Sequence, residues 1–242
     1  MTELFPMSND LLTLAHWVGA HRTRLVIGSE GAVAALLPGG KTFAVSAAHT
    51  RLVRLESGSL VEFNLAKAQA LIAGDDACTP EQIAEAQTNP AAPTPSADAL
   101  AFADLFAFEG VRFAAHTQPI PINQVICSPR ARQFSDRRNL PHEILACGQA
   151  SVLVPFMPPG LLLAKEIRRR IALWRDRYKT IPKLILIQNH GMIALGETVE
   201  EVQTVTEAAV KYAEIFVGAA MMGGPEFLKP NYVTQIDTTR MV

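Results

Sequence analysis

The sequence has no long apolar run and no excess of either charge. Its 242 residues include 22 basic and 23 acidic side chains, for a formal net charge of −1. Nucleic-acid-binding domains need a basic surface that displaces counterions from phosphates, so we expect no nucleic acid as a partner. The longest apolar runs, such as 161–164 and 184–187, are far shorter than the roughly 20 residues of a membrane-spanning helix. We therefore expect no membrane partner either.

Targeting and disulfide signals are also missing. The N-terminal sequence MTELFPMSND has no basic segment followed by an apolar stretch, so it does not have the pattern of a signal peptide. The three cysteines, Cys78, Cys127 and Cys147, are odd in number and form no CxxC pair, which is typical of reduced thiols. These features predict a soluble cytoplasmic protein.

Apolar residues are abundant and charged residues are scarce. The hydrophobic fraction is 49% and the charged fraction is 19%, against about a quarter charged in a typical domain. Excess apolar surface is often hidden in subunit contacts, so the composition favours a homo-oligomer. The length allows one large domain or two small ones. Because helical and strand patterns alternate without repeats or low-complexity tracts, we predict a single α/β domain over residues 1–242.

Hydrophobic periodicity and turn residues predict the order of the elements. Two helix starts, at Thr79–Gln82 and Thr198–Glu201, have the pattern of a capping box. Strands are expected at 24–28, 32–37, 42–45, near Val53, and at 60–63, 111–115, 151–155, 183–187 and 192–195. Further helices are expected from Ser8 or Asn9 to about 20, from Thr94 or Ser96 to about 108, and from about 161 to 177. The first strands form a block that we expect to be antiparallel.

Two arginine-rich stretches have simple surface interpretations. Residues 128–139 carry Arg130, Arg132, Arg137 and Arg138, which could bind an anion, although an exposed loop is the stronger interpretation. The run Arg168–Arg170 lies opposite an apolar stripe on a predicted helix, so we expect it to be a solvated face.

A histidine follows the apolar strand LILIQ in the turn Asn189-His190-Gly191. A histidine at a strand end, beside a glycine, can present a ring nitrogen to a cleft, and histidine is the commonest metal ligand. Taken alone, the turn is more typical of a surface or core histidine than of a metal ligand.

A second candidate pairs a carboxylate with a histidine. Asp98 ends the motif Pro95-Ser96-Ala97-Asp98 at a predicted helix start, and a later strand ends in His116-Thr117-Gln118. Strand periodicity puts His116 and Gln118 on one side. Asp98 alone is typical of a first-turn carboxylate that interacts with the helix dipole.

In this order, the motifs resemble the class II aldolase/adducin family over residues 10–220. The resemblance rests on four blocks: PSAD (95–98), AAHTQ (114–118), VPFMPPGLLLAKEI (154–167) and LILIQNHGMIALGETVEE (184–201). The last two blocks are similar to the aldolase half of rhamnulose aldolase/dehydrogenase proteins. The resemblance implies a three-layer α/β/α fold around a mainly antiparallel sheet. It also implies a cyclic tetramer and a small-molecule substrate.

The resemblance further implies a divalent-metal site, with zinc as the first expectation. Active members use an H-x-H pair and the histidine of N-H-G as ligands, and a glutamate as general base. His116, Gln118 and His190 match the ligand positions and Asp98 matches the base. Gln118 replaces a histidine with a weaker oxygen donor, and Asp98 has a shorter side chain than glutamate. Either His142 or Asp98 could complete the ligand set, and the metal could also be absent.

The expected substrate-binding positions depart further from the family. Ser96, Asn189 and Gly191 are the residues that we assign to substrate. The family's phosphate-binding turn falls at Gly31–Ala34, a second at Ala47–Ala48, and one serine of the third is Ala97. Few hydroxyl donors are left for a phosphate dianion, so a sugar phosphate is a doubtful substrate.

Three functions are therefore open at this point. The first is a divalent-metal-dependent lyase that cleaves a small hydroxy-carbonyl or sugar-derived substrate through a metal-stabilised enediolate. The second is a non-catalytic, adducin-like oligomeric member that has lost the metal and phosphate sites. The third is a module that binds a metal or small ligand without turnover. The sequence leaves substrate, metal and reaction type open.

Overall fold

The computed structural model describes the backbone of residues 4–75 and 77–238 and the side chains of 9–75 and 77–237. Its strands are β1 (Ala32–Leu36), β2 (Thr42–Ser46), β3 (Leu60–Asn64), β4 (Phe113–Thr117), β5 (Val152–Val154), β6 (Leu184–Ile187) and β7 (Gly191–Gly196). The helices of the described residues are α1 (Leu4–Gly19), α2 (Leu65–Ala73), α3 (Pro80–Ala86), α4 (Ala99–Leu105), α5 (Ile120–Ile126), α6 (Ala131–Asp136), α7 (Pro141–Cys147), α8 (Leu161–Tyr178), α9 (Val199–Met221) and α10 (Pro230–Thr238).

The strands form one mixed sheet in the order β3-β2-β1-β4-β7-β6-β5. Every neighbouring pair is antiparallel except β5 and β6, which are parallel. The central strand β4 pairs with β1 on one side and with β7 on the other. The sheet confirms the predicted antiparallel block at the start of the chain.

Both faces of the sheet are covered, which confirms the three-layer α/β/α architecture. Residues of β1 alternate between the two faces: Ala32 and Ala34 contribute to one core, Val33 and Ala35 to the other. Helices α2, α4 and α8 pack over the first core, and α1, α5 and α9 over the second. Because strands buried on both faces need apolar residues at nearly every position, the central strands are almost continuously apolar.

Two of the predicted strands are wrong. Residues 24–28 are irregular, because Arg24 has a left-handed backbone with φ of 51°, which interrupts an extended strand. Val53 lies in a short 3-10 helix, Leu52–Arg54, that packs against α1. The first helix also begins earlier than expected, at Leu4.

The capping residues were predicted with mixed success. At α3 the Thr79 hydroxyl accepts from the amide of Gln82, whose side chain accepts from the Thr79 amide, as the capping box requires. At α9 the Thr198 hydroxyl accepts from the Glu201 amide, but the Glu201 carboxylate accepts from the amide of Glu197 instead of Thr198. The second motif therefore has the hydroxyl bond of a capping box, but its carboxylate bonds the amide of the residue before the N-cap.

The prediction of an exposed loop at 128–139 is wrong for Arg138. This stretch contains α6, and Arg138 is only 2% exposed. Its guanidinium donates to the Gly148 carbonyl and the Ser151 hydroxyl and lies 3.7 Å from the Glu143 carboxylate. A buried arginine needs such partners, and the sequence does not indicate which of the four arginines finds them.

Arg168–Arg170 is less solvated than predicted. Arg168 pairs with Asp104 on α4, while Arg169 and Arg170 bind Glu166 one turn earlier on α8. Ion pairs thus form within α8 and between α8 and α4.

Among the described residues, no helix is both long enough and apolar enough to cross a membrane. The three cysteines form no disulfide with one another, and Cys147 is buried whereas Cys127 is exposed.

Candidate metal centre

The two histidines of the candidate site come from neighbouring strands at the centre of the sheet. His116 is the penultimate residue of β4 and lies opposite Ile193 of β7. His190 occupies the turn between β6 and β7, where its amide donates to the Ile187 carbonyl at 3.1 Å. This tight turn uses a left-handed backbone at Asn189, with φ of 54°, which asparagine tolerates better than most residues. The turn therefore brings His190 to the end of β4.

Asp98 reaches the same point from the segment before α4. Its neighbour Ser96 donates its amide to the Ser46 carbonyl at the end of β2, and Pro95 lies across from Ala47. The Ser96 hydroxyl accepts from the Asp98 amide at 3.2 Å. These bonds hold residues 96–98 in a turn, which explains why α4 begins at Ala99, later than predicted.

Asp98, His116 and His190 form a compact cluster. A carboxylate oxygen of Asp98 lies 2.8 Å from Nδ1 of His116, and both residues are almost fully buried. The two imidazole rings meet edge to face with their centroids 4.8 Å apart. One potential ligand atom from each residue lies within 4.8 Å of the others. This is the set of candidate metal-ligating side chains that the described residues bring together.

The free nitrogens of this cluster fit a divalent ion. Nε2 of His116 and Nδ1 of His190 are buried without a hydrogen-bond partner in the part of the chain described. Leaving such polar atoms unpaired costs about 1–3 kcal/mol each, which a bound ion would offset. Metal-binding histidines usually donate their second N–H to a carboxylate, and Asp98 provides that carboxylate for His116.

Gly191 makes room for the His116 ring. A Cβ atom at this position would lie 2.9 Å from Nε2 of His116 and 2.5 Å from the Thr117 carbonyl oxygen. Only a glycine lets the start of β7 approach β4 this closely without moving the imidazole. The glycine of the N-H-G motif therefore contributes by its lack of a side chain.

Burial and mutual charge set the pKa values of the cluster. Burial would raise the pKa of Asp98, but the charge and hydrogen bond of His116, with His190 and Ser96, hold that pKa below its usual range. Burial would lower the pKa of His116, but Asp98 and, more weakly, Glu30 raise it. The pKa of His190 is lowered by burial and by the His116 charge, against the opposing effect of Asp98. His190 is therefore neutral near neutral pH, the form that binds metals.

The remaining predicted site residues lie at varying distances from this cluster. Gln118 follows the end of β4 and is half-buried, with its Cγ 3.1 Å from where a Gly191 Cβ would be. Ser96 bonds Asp98, and Asn189 is exposed on the turn. His142 is exposed on α7 and lies outside the cluster, whereas Asp98 is within it. Of the two residues that we considered to complete the ligand set, the structure thus brings only Asp98 to the histidines.

Glu30 is a residue that sequence reasoning missed. It lies in the turn before β1, its carboxylate accepts from the Ile27 amide at 2.9 Å, and its charge reaches His116. The one available signal was its position directly before Gly31, where the resemblance expects a phosphate-binding turn. Nothing in the residue type itself connected it to the site.

Comparison with known proteins identifies one family over most of the chain. The sequence model described as Class II Aldolase and Adducin N-terminal domain matches residues 9–217. A curated relative, the uncharacterized oxidoreductase YuxG of Bacillus subtilis (strain 168), is 27% identical over 125 residues. That match covers 52% of this chain but only 16% of the relative.

Solved structures with the same fold cover nearly the whole chain. YgbL of Klebsiella pneumoniae, a putative aldolase/epimerase/decarboxylase, has a TM-score of 0.73 at 17% identity, over 98% of this chain and 99% of its own. An L-fuculose 1-phosphate aldolase has a TM-score of 0.72 at 12% identity, covering 98% and 97%. The N-terminal class II aldolase domain of a Thermoplasma acidophilum protein has a TM-score of 0.66 at 21% identity, covering 86% and 92%. At these identities the likeness establishes the fold alone.

Proposed function

Because the chain belongs to the class II aldolase and adducin family, we propose that it is a divalent-metal-dependent lyase of the aldolase type. Its substrate is a small hydroxy-carbonyl compound. The observation that carries the proposal is the pair of buried, unpartnered imidazole nitrogens, Nε2 of His116 and Nδ1 of His190, beside an ionised Asp98.

His116 and His190 would hold the ion through these two nitrogens. A bound divalent ion supplies a Lewis acid that polarises a carbonyl group and stabilises negative charge developing on its oxygen. Zinc is the first expectation because imidazole is among its preferred ligands. With two histidines and otherwise oxygen donors, such as Gln118, manganese, iron or cobalt also suits the site.

Asp98 would act on protons. Its hydrogen bonds from Ser96 and His116 involve Oδ2, so Oδ1 is the oxygen available to accept a proton from a substrate hydroxyl. His116 keeps the carboxylate in place by donating from Nδ1. Since Asp98 is only 7% exposed, bulk water competes weakly for this proton. Ser96, Asn189 and Gly191 are the proposed substrate-contacting residues.

The wider setting is part of the same proposal. Three cysteines that form no disulfide with one another support a cytoplasmic location. A homo-oligomer, with a tetramer as the first expectation, follows from the apolar composition and the family resemblance.

The test is elemental analysis of the purified, tag-free protein beside three alanine variants. We expect about one zinc, manganese, iron or cobalt per chain, and its loss in both His116→Ala and His190→Ala. His142→Ala is the matched control, because His142 is exposed and outside the cluster, and it should keep the metal.

The outcomes separate the three candidate functions. Metal together with aldehyde formation from hydroxy-carbonyl compounds, both lost in His190→Ala, supports the lyase. Metal without turnover on a broad panel of hydroxy-acids and ketoses supports a binding module. A protein that takes up no divalent ion, and whose oligomer is unaffected by a chelator or by mutation of both histidines, would be a non-catalytic, adducin-like member.

A further inference from the structure

We propose that the substrate is unphosphorylated and that its end remote from the two histidines is an uncharged, apolar group. This group would occupy a cavity of about 430 Å³ beside Ser96 and Ala97. The inference rests on the proposed function for the position of the reacting end of the substrate. It goes further by naming the class of substrate.

The cavity is built almost entirely from apolar and rigid residues. Among the described residues that line it there is no lysine, arginine, aspartate or glutamate. Its walls include four prolines, at positions 80, 90, 93 and 95, together with Ile83 and Leu100. Proline fixes the backbone φ angle, so much of the wall is preformed. The volume lies within the range of about 300–1,000 Å³ that is typical of small-molecule sites.

The cavity adjoins the candidate metal centre through two consecutive residues. Ser96 and Ala97 form part of its wall, and Asp98 follows them directly. The Ser96 hydroxyl lies 3.5 Å from the Asp98 carboxylate, which lies 2.8 Å from His116. Asp98, His116 and His190 do not themselves line the cavity, so in this proposal the substrate extends from the histidines past the Ser96–Asp98 turn into it.

The backbone itself closes the region where a phosphate would be expected. The amide of Ala48 donates to the Thr94 carbonyl at 2.8 Å, and the Ser96 amide donates to the Ser46 carbonyl at 3.2 Å. Phosphate turns bind anions with backbone amides that point at the ligand. Here both amides are used between the two loops, and Ala97 offers no hydroxyl.

Charge acts in the same direction. The Glu30 carboxylate is close enough to act on His116, and it lies next to Gly31 at the start of the expected phosphate turn. A phosphate dianion in the cavity would find no cation among the described residues of its wall. An uncharged substituent needs no such cation and gains from leaving water.

The experiment compares three ligands that share a hydroxy-ketone head. These are hydroxyacetone, 1-hydroxy-4-phenylbutan-2-one and dihydroxyacetone phosphate, with dissociation constants measured by calorimetry or ligand-observed NMR on the full chain. We expect the phenyl compound to bind at least about tenfold more tightly than hydroxyacetone. Dihydroxyacetone phosphate should bind no more tightly than hydroxyacetone. A phosphate ester that binds most tightly would overturn the proposal.

Variants of α3 locate the binding. Ala84 lines the cavity and Glu85 points to solvent, so Ala84→Phe should bring the phenyl compound to the affinity of hydroxyacetone, while Glu85→Phe should leave it unchanged. Gln87→Lys adds a cation to the wall and should weaken the phenyl compound and strengthen the phosphate ester. Circular dichroism confirms that each variant is folded. An unchanged affinity ratio in both folded cavity variants would refute this location.

The same titrations after chelator treatment separate this inference from the proposed function. Removing metal should weaken all three ligands while the preference for the phenyl compound persists. If the protein never binds metal, the lyase proposal fails, yet the ratio of phenyl compound to hydroxyacetone still tests the cavity. A preference that is absent with and without metal would contradict the cavity proposal alone.

Discussion

Asp98 binds Nδ1 of His116 and thereby determines which ring nitrogen is left for an ion. The shorter side chain of aspartate, compared with the glutamate of the family pattern, ends 2.8 Å from this nitrogen. Nε2 then faces the other way, towards Gly191. A carboxylate behind a ligating histidine fixes the tautomer and increases the basicity of the ring.

Replacing Asp98 by asparagine should weaken metal binding. The amide keeps a hydrogen-bond acceptor but loses the charge, so we expect metal affinity to fall by about 10–100-fold. Competition with a chromophoric chelator measures this change. Asp136→Asn is the control. Asp136 is exposed, pairs with Arg132 on the same helix and is not part of the metal centre. Equal affinity in Asp98→Asn and the parent would argue against the positioning role.

Gly191→Ala should displace the His116 ring. The new Cβ would lie 2.9 Å from Nε2 and 2.5 Å from a backbone oxygen, so either the imidazole or the strand must move. We expect a loss of stability of about 1–3 kcal/mol, together with lower metal content. Gly218→Ala, on α9 with open space around it, is the matched control. It should be neutral or slightly stabilising; similar losses in both variants would contradict this explanation.

At the residue scale, the sequence indicated which side chains meet but not how they interact. The motif order pointed to Asp98, His116 and His190, and the structure brings these three together. The hydrogen bond from His116 to Asp98 depends on side-chain length and on the turn at residues 96–98, which no spacing rule describes. Glu30 was missed because its contribution depends on distance alone. The functional roles of all these residues stay predictions.

At the element scale, periodicity identified the long elements and failed where local backbone geometry decides. Helix α8, the start of α9 and strands β1 and β2 were predicted close to where they are observed, because each has a regular apolar pattern. Residues 24–28 have the composition of a strand, yet the left-handed backbone at Arg24 and at Gly28 excludes one. Apolar composition cannot distinguish such a segment from a strand.

Helix α8 carries an acid-sensitive ion-pair cluster. Hydrogen bonds from Arg169 and Arg170 outweigh the effect of burial and lower the pKa of Glu166 to about 2. Because the folded pKa lies below the ordinary value of 4.5, the stabilisation is complete above that value. It is lost as the pH falls towards 2.

Glu166→Gln should therefore cost stability near neutral pH and little in acid. We expect a loss of about 1 kcal/mol at neutral pH, since the arginines are partly exposed and screened. Urea denaturation of the parent and the variant over a range of pH values measures the difference. Glu214→Gln, exposed on α9, is the control and should show no comparable trend. A difference that grows as the pH falls would contradict this assignment.

Arg138 joins α6, β5 and α7 through its buried guanidinium. Arg138→Met would leave the buried Glu143 carboxylate without its cation and the Gly148 carbonyl without its donor, so we expect a loss of about 3–5 kcal/mol. Urea denaturation measures it. Arg132→Met on the same segment is the control, since its pairing with Asp136 is exposed and should be worth little. Comparable stability in both variants would refute the structural role of Arg138.

At the scale of the whole molecule, the sequence led to predictions about the fold, the domain organisation and the assembly. The three-layer fold followed from the family resemblance and is confirmed, whereas subunit number and the single-domain organisation over residues 1–242 stay predictions. The sheet takes strands from Ala32 to Gly196, which supports a single domain. Exposed apolar side chains such as Ile27, at 71%, agree with the expectation of subunit contacts.

Native mass spectrometry tests the predicted assembly. We expect a mass four times that of one chain, because the family resemblance implies a cyclic tetramer. Dilution and addition of a chelator should leave this mass unchanged if the contacts are apolar. A species with the mass of one chain at all concentrations would contradict the homo-oligomer.

The central position of β4 has a consequence for protein synthesis. Its partner β1 precedes it by most of the first half of the chain, and its other partner, β7, follows only after β6. A nascent chain that ends before residue 190 has Asp98 and His116 but lacks His190 and leaves one edge of β4 unpaired. Contacts between distant segments also form late in folding. Metal loading should therefore follow the emergence of β7 from the ribosome, and no N-terminal fragment ending before β7 should acquire the ion.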